Sequence, residues 1–167
     1  MFVHLSMRLV ALLLSSLVLV SSGGRIISSH GVRLVVPSGW HRIAPAGDGS
    51  VVDPRTLLVV GTAGVAPRPS SCQIAAYRIP PRGAVVVVVG WKTATSGGGR
   101  LKPGRAPLKK LVAVTRPSFE CFSGRGAVAQ LALGGKAYQV NVMVGDRASK
   151  RRIAEALSVA RSFDRVR

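Results

Sequence analysis

Acidic residues and histidines are scarce in this sequence, and their scarcity limits the chemistry available to the chain. Its 167 residues include 24 Lys and Arg, six Asp and Glu, and three His. The acids are scattered and form no pair suited to acid/base catalysis; they are Asp48, Asp53, Glu120, Asp146, Glu155 and Asp164. No group of His, Cys and acids has the spacing of a metal site. We therefore expect no metal, no cofactor and no enzymatic activity.

Long apolar runs are also few, and the longest lies near the start. Residues 9–20 are apolar apart from two serines, follow the basic Arg8, and precede the small residues 21–24. A run of about 12 residues spans about 18 Å as a helix, whereas a hydrocarbon core is about 30 Å thick. This pattern is typical of a cleaved secretory signal peptide over residues 1–24. It predicts a secreted or extracytoplasmic protein; the alternative is an uncleaved segment that anchors the chain in a membrane.

Only two cysteines are present, Cys72 and Cys121. An even pair in an exported chain predicts a disulfide, because compartments outside the cytosol are oxidising. The bond would close a loop of about 49 residues and, on the chain-entropy model, contribute roughly 4 kcal/mol. Two free buried thiols are the alternative. A cysteine enzyme built from Cys121, His41 and Arg125 is disfavoured, because the disulfide would remove its nucleophile.

Positive charge is abundant instead. The formal net charge of +18 favours polyanionic partners, such as nucleic acid or an anionic wall polymer, through long-range attraction. Two segments would make the contacts, an irregular glycine-rich loop over 92–110 and a helical turn at 150–152. Their candidate polyanion-binding residues are Lys92, Arg100, Lys102, Arg105, Lys109, Lys110, Lys150, Arg151 and Arg152. The alternative is that this charge follows from an Arg-, Ala- and Gly-rich composition and is solvated surface.

The clearest local pattern is a hairpin. Residues 127–133 and 137–144 predict two strands joined by a turn at 134–136, where paired glycines supply the positive φ of a tight hairpin. In the second strand Tyr138 and the valines lie on one face, because side chains alternate along a strand. Gln139 lies on the other face.

A helix is predicted after this hairpin, from about Ser149, with Asp146 or Ser149 as its N-cap. Its apolar residues recur at helical spacing and form one stripe; they are Ile153, Ala156, Leu157 and Ala160. Phe163 is expected to make a last packing contact before a frayed basic tail. The pattern indicates a C-terminal helix packed on a sheet.

Further strands are predicted where apolar runs lie between turn residues; they cover 31–36, 56–62, 72–79, 84–91, 111–115 and 118–122. Residues 84–91 include five consecutive valines, which indicate a central strand covered on both faces. Residues 25–30 show little pattern and are interpreted as a tether before a single domain over 31–167. The predicted class is α+β, a mainly antiparallel sheet of about 6–8 strands with a C-terminal helix.

Three short stretches resemble uncharacterised exported proteins of actinobacteria: residues 32–40, residues 119–122, and an ending that runs from Ala156–Leu157 to Ser162–Phe163. The strand-Pro-x-Gly-Trp opening, which ends at Trp40, and the helix-Ser-Phe ending are also loosely similar to the PsbP and Mog1 group. This resemblance implies an αβα sandwich with an antiparallel sheet. Its motifs contain no catalytic residues, so it implies no particular function.

These observations favour a non-enzymatic exported domain that binds or scaffolds a component of the cell envelope. The alternative is an electrostatic binder of nucleic acid or anionic wall polymer that uses the two basic segments. Aromatic residues make up 5% of the chain, and Tyr77, Trp91 and Tyr138 are expected in the core. Their burial argues against recognition of single-stranded nucleic acid, which depends on stacking.

Overall fold

The computed structural model describes residues 23–46, 53–70, 72–74, 76–92, 95–96, 99–100, 108, 111, 113–114 and 122–166. Its strands are β1 (Arg25–Ser29), β2 (Val32–Val36), β3 (Trp40–Arg42), β4 (Arg55–Thr62), β5 (Ala66–Pro67), β6 (Tyr77–Arg78), β7 (Ala84–Gly90), β8 (Thr95–Ser96), β9 (Gly99–Arg100), β10 (Ala113–Val114), β11 (Arg125–Leu133), β12 (Lys136–Val144) and β13 (Asp164–Arg165). The helix of these described ranges is α1 (Lys150–Arg161).

Six strands form the main sheet, in the order β10-β11-β12-β7-β4-β3, and every neighbouring pair is antiparallel. A smaller sheet has β2 at its centre, between β1 and β13. Short ribbons join β5 to β6 and β8 to β9. Helix α1 and the small sheet share one hydrophobic core with the main sheet. The α+β class with a mainly antiparallel sheet is confirmed.

Strand β7 lies at the centre of the main sheet, between β12 and β4. Its five valines, residues 85–89, are each 0% exposed. Val86 and Val88 face α1 and the small sheet, and the other three face a second cluster that contains Ile43 and Tyr77. Complete burial of a valine side chain contributes roughly 1.5–3 kcal/mol. The prediction of a central strand covered on both faces is confirmed.

The predicted hairpin and helix are also present. Strands β11 and β12 pair from Arg125↔Val144 to Leu133↔Lys136, and Gly134 (φ 56°) and Gly135 (φ 72°) make the turn. Ser149 is the N-cap of α1, and its hydroxyl accepts a hydrogen bond from the Arg152 amide at 3.1 Å. Beyond the helix, Phe163 is fully buried, as expected.

Residues 25–30 are not a tether, so this prediction is wrong. Strand β1 pairs with β2 along its whole length, and Ile27 lies opposite Leu34 and packs against the main core. His30 (φ 48°) and Gly31 (φ 75°) form the turn between the strands. The pattern was uninformative because the two isoleucines are adjacent rather than alternating, and a non-glycine residue with positive φ is uncommon.

Two other differences concern short segments. The predicted strand 72–79 is strand only at β6, although Cys72, Ile74 and Tyr77 are buried. Ile74 and Tyr77 belong to the hydrophobic cluster on the second face of the main sheet, so their spacing reflects packing and not pairing within a strand. The expected frayed tail is instead β13, which pairs with β2 and is fastened by the Arg33–Asp164 ion pair.

Several predictions fall outside the described residues. These include nearly all of the signal segment, Cys121, residues 118–121 and most of 92–110. The signal peptide and the single-domain boundary therefore stay predictions. Across the part of the chain that the structure describes, no helix is long and apolar enough to cross a membrane.

Candidate functional site

A pocket of about 390 Å³ lies where β7 ends and where β4 and β12 begin. Nine of the described residues line it, and we call it the strand-end pocket: His30, Asp53, Arg55, Leu57, Gly90, Trp91, Lys92, Lys136 and Tyr138. The volume falls within the range of about 300–1,000 Å³ that is usual for small-molecule sites. The pocket combines an apolar floor with charged side chains. The strands determine the position of each side chain.

The floor follows from the register of three neighbouring strands. Arg55, Gly90 and Tyr138 are aligned across β4, β7 and β12 and so lie on one face of the sheet. A β-bulge between Thr56 and Leu58 interrupts the ladder beside them. At Gly90 a Cβ atom would lie 2.7 Å from Leu57 Cδ1 and 3.4 Å from the Tyr138 ring. Glycine therefore allows both side chains to close over β7.

His30, in the β1–β2 turn, positions the Arg55 side chain. The His30 Nδ1 atom lies 3.1 Å from the Leu57 carbonyl oxygen, and Nε2 lies 2.8 Å from Arg55 Nη2. A carbonyl oxygen only accepts and a guanidinium only donates. We therefore assign the proton to Nδ1, with Nε2 accepting from Arg55. The guanidinium is held at the pocket while its other N–H groups can serve a ligand.

Positive charge predominates among the pocket residues. Arg55, Lys92 and Lys136 are exposed cations, whereas Asp53 is the one carboxylate of the lining. The Asp53 Oδ1 atom accepts the Lys92 backbone N–H at 3.2 Å. A concave site with an excess of cations and low-dielectric walls attracts anions. The arrangement is suited to holding a negatively charged group.

Tyr138 completes the apolar wall of the pocket. Its ring lies 5.3 Å from the Phe163 ring at a tilt of 55°, and its side chain is almost completely buried. Burial raises the pKa of Tyr138, and the nearby Arg165 guanidinium partly opposes this rise. The phenol is therefore neutral at physiological pH, so it offers a hydrogen-bonding hydroxyl rather than a negative charge.

The described members of the predicted polyanion-binding set lie in separate parts of the fold. Lys92 lies in the strand-end pocket. Lys150, Arg151 and Arg152 lie beyond the opposite end of β12, and Glu155 makes ion pairs with Arg151 and Arg152. Arg100 lies in β9, and the remaining four are outside the described residues: Lys102, Arg105, Lys109 and Lys110. The helical turn is thus partly neutralised, which weakens it as a polyanion contact.

Sequence reasoning missed His30, Arg55 and Lys136. Each lies at a turn or at the first residue of a strand, and their separation along the chain gives no sign that they meet. The proximity of Arg55 and Lys136 depends on β4 and β12 both pairing with β7. The one sequence feature that could have indicated the pocket is the presence of isolated basic residues beside the ends of predicted strands.

Two members of the cysteine-enzyme alternative, His41 and Arg125, lie far apart, whereas Cys121 lies outside the described residues. His41 lies in β3 and Arg125 begins β11, and three strands separate them in the main sheet. At about 4.8 Å between strands, that spacing is roughly 19 Å. Cys72 is buried, and its bond to Cys121 stays a prediction because Cys121 lies outside the described residues. In the described ranges no three His, Cys, Asp or Glu side chains form a metal-binding group.

Comparison with known proteins assigns no family: no protein-family model matches the chain, and no curated protein matches it.

Proposed function

We propose that this protein is a non-enzymatic, extracytoplasmic domain that binds an anionic component of the cell envelope. The observation that carries the proposal is the strand-end pocket, where Arg55, Lys92 and Lys136 outnumber Asp53, the one carboxylate among the described lining residues. The pocket supports an anionic ligand. Its side chains include no nucleophile paired with a general base, and binding is the chemistry that they supply.

The distribution of acids adds support. Among the described residues, the Asp164 and Glu155 carboxylates are already in ion pairs with arginines, and Asp53 accepts a backbone N–H. Because the chain has 24 Lys and Arg but six Asp and Glu, most of its positive charge has no carboxylate to offset it. Exposed cations that lack acidic neighbours raise the local concentration of anions and accelerate their association.

An anionic wall polymer is a better candidate than single-stranded nucleic acid. Tyr77 and Tyr138 are 5% and 3% exposed, so neither presents a free ring face for stacking on a base. Recognition of single strands relies on such stacking. Trp91 is only half-buried, but one tryptophan does not make a platform for successive bases.

Export is part of the proposal and depends on the sequence. The apolar run at 9–20 and the cysteine pair support secretion, and the alternative is a chain that keeps residues 1–24 as an anchor. Intact-mass measurement on protein recovered from the culture medium distinguishes the two. A mass that begins near residue 25 supports the secreted form, whereas a full-length chain in the membrane fraction contradicts it.

The test of ligand class is retention on three polyanions: heparin, double-stranded DNA and poly(glycerol phosphate). We expect retention on poly(glycerol phosphate) that weakens by at least about tenfold between 50 and 200 mM salt, because counterions are released on binding. The proposal would be overturned if none of the three polyanions retained the protein in a salt-sensitive way. Hydrolysis of a wall substrate that His41→Ala abolishes would contradict the non-enzymatic assignment.

Two triple variants with the same charge locate the contact. One replaces Arg55, Lys92 and Lys136 with Gln, and the other replaces Arg78, Arg82 and Arg147, which are also exposed. We expect the first variant to lose most of the retention and the second to lose little. Equal losses would contradict a contact centred on the strand-end pocket. Thermal unfolding of both variants controls for folding.

We also propose that the similarity to the PsbP and Mog1 group extends to packing. The opening motif supports it, since Gly39 (φ 79°) makes a turn that returns Trp40, 2% exposed, to the core. The ending supports it as well, because Ser162 caps α1 and Phe163 is buried. Shared packing implies no shared activity. An experimental structure with helices on both faces of the main sheet would support the sandwich.

A further inference from the structure

We propose that the strand-end pocket recognises one ring-bearing anionic unit, a phosphate or carboxylate carried on a sugar ring. The inference rests on the proposed function and specifies its ligand. It predicts that affinity depends on the sugar ring and the anionic group of one unit of the polymer, and not on negative charge alone.

The size of the site favours a single unit. A pocket of about 390 Å³ is near the lower end of small-molecule sites, and it is bounded on the sheet side by β4, β7 and β12. A tract of polymer would need an extended groove. The pocket fits one residue of a polymer, or its terminal unit, with the remainder of the chain outside.

The polar side of the site suits an oxyanion. Arg55 is fixed by its hydrogen bond to His30 Nε2, and a guanidinium presents paired N–H donors that match a phosphate or carboxylate. Lys136 and Lys92 add mobile point charges on two further strand ends. Three cations from three strands can surround one anionic group from different directions.

The apolar side of the site suits a ring. The partly exposed Leu57 and Trp91 side chains line the pocket next to the cations, and Gly90 lets the Leu57 side chain lie over β7. Sugar rings present C–H faces that pack on aromatic and aliphatic groups, while small inorganic anions make no use of such a wall. The combination of wall and cations therefore selects for an anion attached to a ring.

Binding of four probes tests the inference by titration calorimetry at 150 mM NaCl, with Trp91 fluorescence as a second readout. Glucose 6-phosphate and glucuronate carry both features, whereas inorganic phosphate and glucose each carry one. We expect at least one ring-bearing anion to bind tenfold or more tightly than inorganic phosphate and glucose. Equal binding of inorganic phosphate would show an ion site only and would overturn the inference.

Substitutions distinguish binding in the pocket from attraction by the overall positive charge of the protein. Arg55→Gln and Lys136→Gln should each weaken the preferred probe by tenfold or more. Arg82→Gln removes the same charge near the opposite end of β7, roughly 20 Å away at about 3.3 Å per residue, and should leave affinity unchanged. Gly90→Ala changes no charge but drives Leu57 into the pocket, so it should weaken the probe as well. Loss of affinity in Arg82→Gln equal to that in Arg55→Gln would overturn the inference.

The inference and the proposed function fail in different ways. Salt-sensitive retention on poly(glycerol phosphate) without binding of either ring-bearing probe would overturn the pocket inference and leave polyanion binding intact. Probe binding that depends on Arg55, without retention on any polymer, would overturn the proposed function and support a site for a free small molecule.

Discussion

At the scale of single residues, Gly145 is the described glycine at which an added Cβ atom would lie closest to backbone atoms. A Cβ atom there would lie 2.1 Å from the Pro80 carbonyl oxygen and 2.4 Å from that of Pro81. The two segments are also joined by hydrogen bonds, from the Gly145 amide to Gly83 O at 3.0 Å and from the Arg147 amide to Pro81 O at 2.8 Å. The approach leaves no room for a side chain at this position.

Gly145→Ala is therefore expected to destabilise the protein by about 2–3 kcal/mol, because overpacking against backbone atoms cannot be relieved by a rotamer change. Denaturant unfolding measures the loss. Gly90→Ala is the matched control, because its clash is with the end of the flexible Leu57 side chain, and it should cost clearly less. Equal costs for the two variants would contradict this explanation.

Tyr77 provides a prediction about pH. Burial raises the pKa of Tyr77 to about 12, although a hydrogen bond from the Ala46 amide acts in the opposite direction. In the unfolded chain the phenol ionises near pH 10. Between pH 10 and 12 the unfolded state has therefore lost its proton and the native state retains it, so stability falls with rising pH.

The expected loss across this interval is roughly 2–3 kcal/mol, at about 1.4 kcal/mol for each unit of pKa difference. Absorbance near 295 nm should show Tyr77 ionising near pH 12 in the native protein, and burial raises the pKa of Tyr138 as well. Tyr77→Phe should flatten the dependence of stability on pH in this range. An unchanged slope in that variant would contradict the assignment to Tyr77.

At the scale of elements, helix α1 begins at an N-cap that a substitution can remove. Ser149→Ala deletes the hydroxyl that accepts from the Arg152 amide, and the expected cost is about 1 kcal/mol. Urea unfolding measures it. Ser158→Ala is the control, since that side chain is exposed inside the helix and alanine has higher helix propensity. A Ser149→Ala variant as stable as this control would contradict the capping role.

Helix α1 and the β11–β12 hairpin could be predicted from sequence because their signals are local. A cap, an apolar stripe and a pair of glycines each act within a few residues. The valine run of β7 was also predictable, since a continuous β-branched segment is typical of a buried strand. The identity of its neighbours, β12 and β4, could not be predicted, because strand order is determined by contacts across the whole chain.

Strand β1 and the strand-end pocket are features that could not be predicted from the sequence. Ile26 is 58% exposed while the adjacent Ile27 faces the core, so their order along the chain carries no signal of burial. Only Lys92 of the pocket was predicted, as part of a basic loop. Arg55 and Lys136 lie in the same pocket because β4 and β12 pair with opposite sides of β7.

At the scale of the whole molecule, the predicted disulfide between Cys72 and Cys121 would link two segments that are distant in sequence. We expect the native protein to have a mass two hydrogen atoms below that of the reduced chain, with both cysteines resistant to alkylation until a reductant is added. Replacing Cys72 and Cys121 together with alanine should lower stability by up to about 4 kcal/mol on the chain-entropy model. Alkylation of both thiols in the untreated native protein would contradict the disulfide.

The strands of the small sheet are synthesised at widely different times. Its β1–β2 hairpin is among the first parts of the described structure to leave the ribosome, yet β13, at residues 164–165, is the last. Until then the inward side chains of β2, such as Leu34, lack the helix and the tail that cover them. Because such long-range pairing delays folding, we expect the small sheet to close only after the residues of β13 have been synthesised.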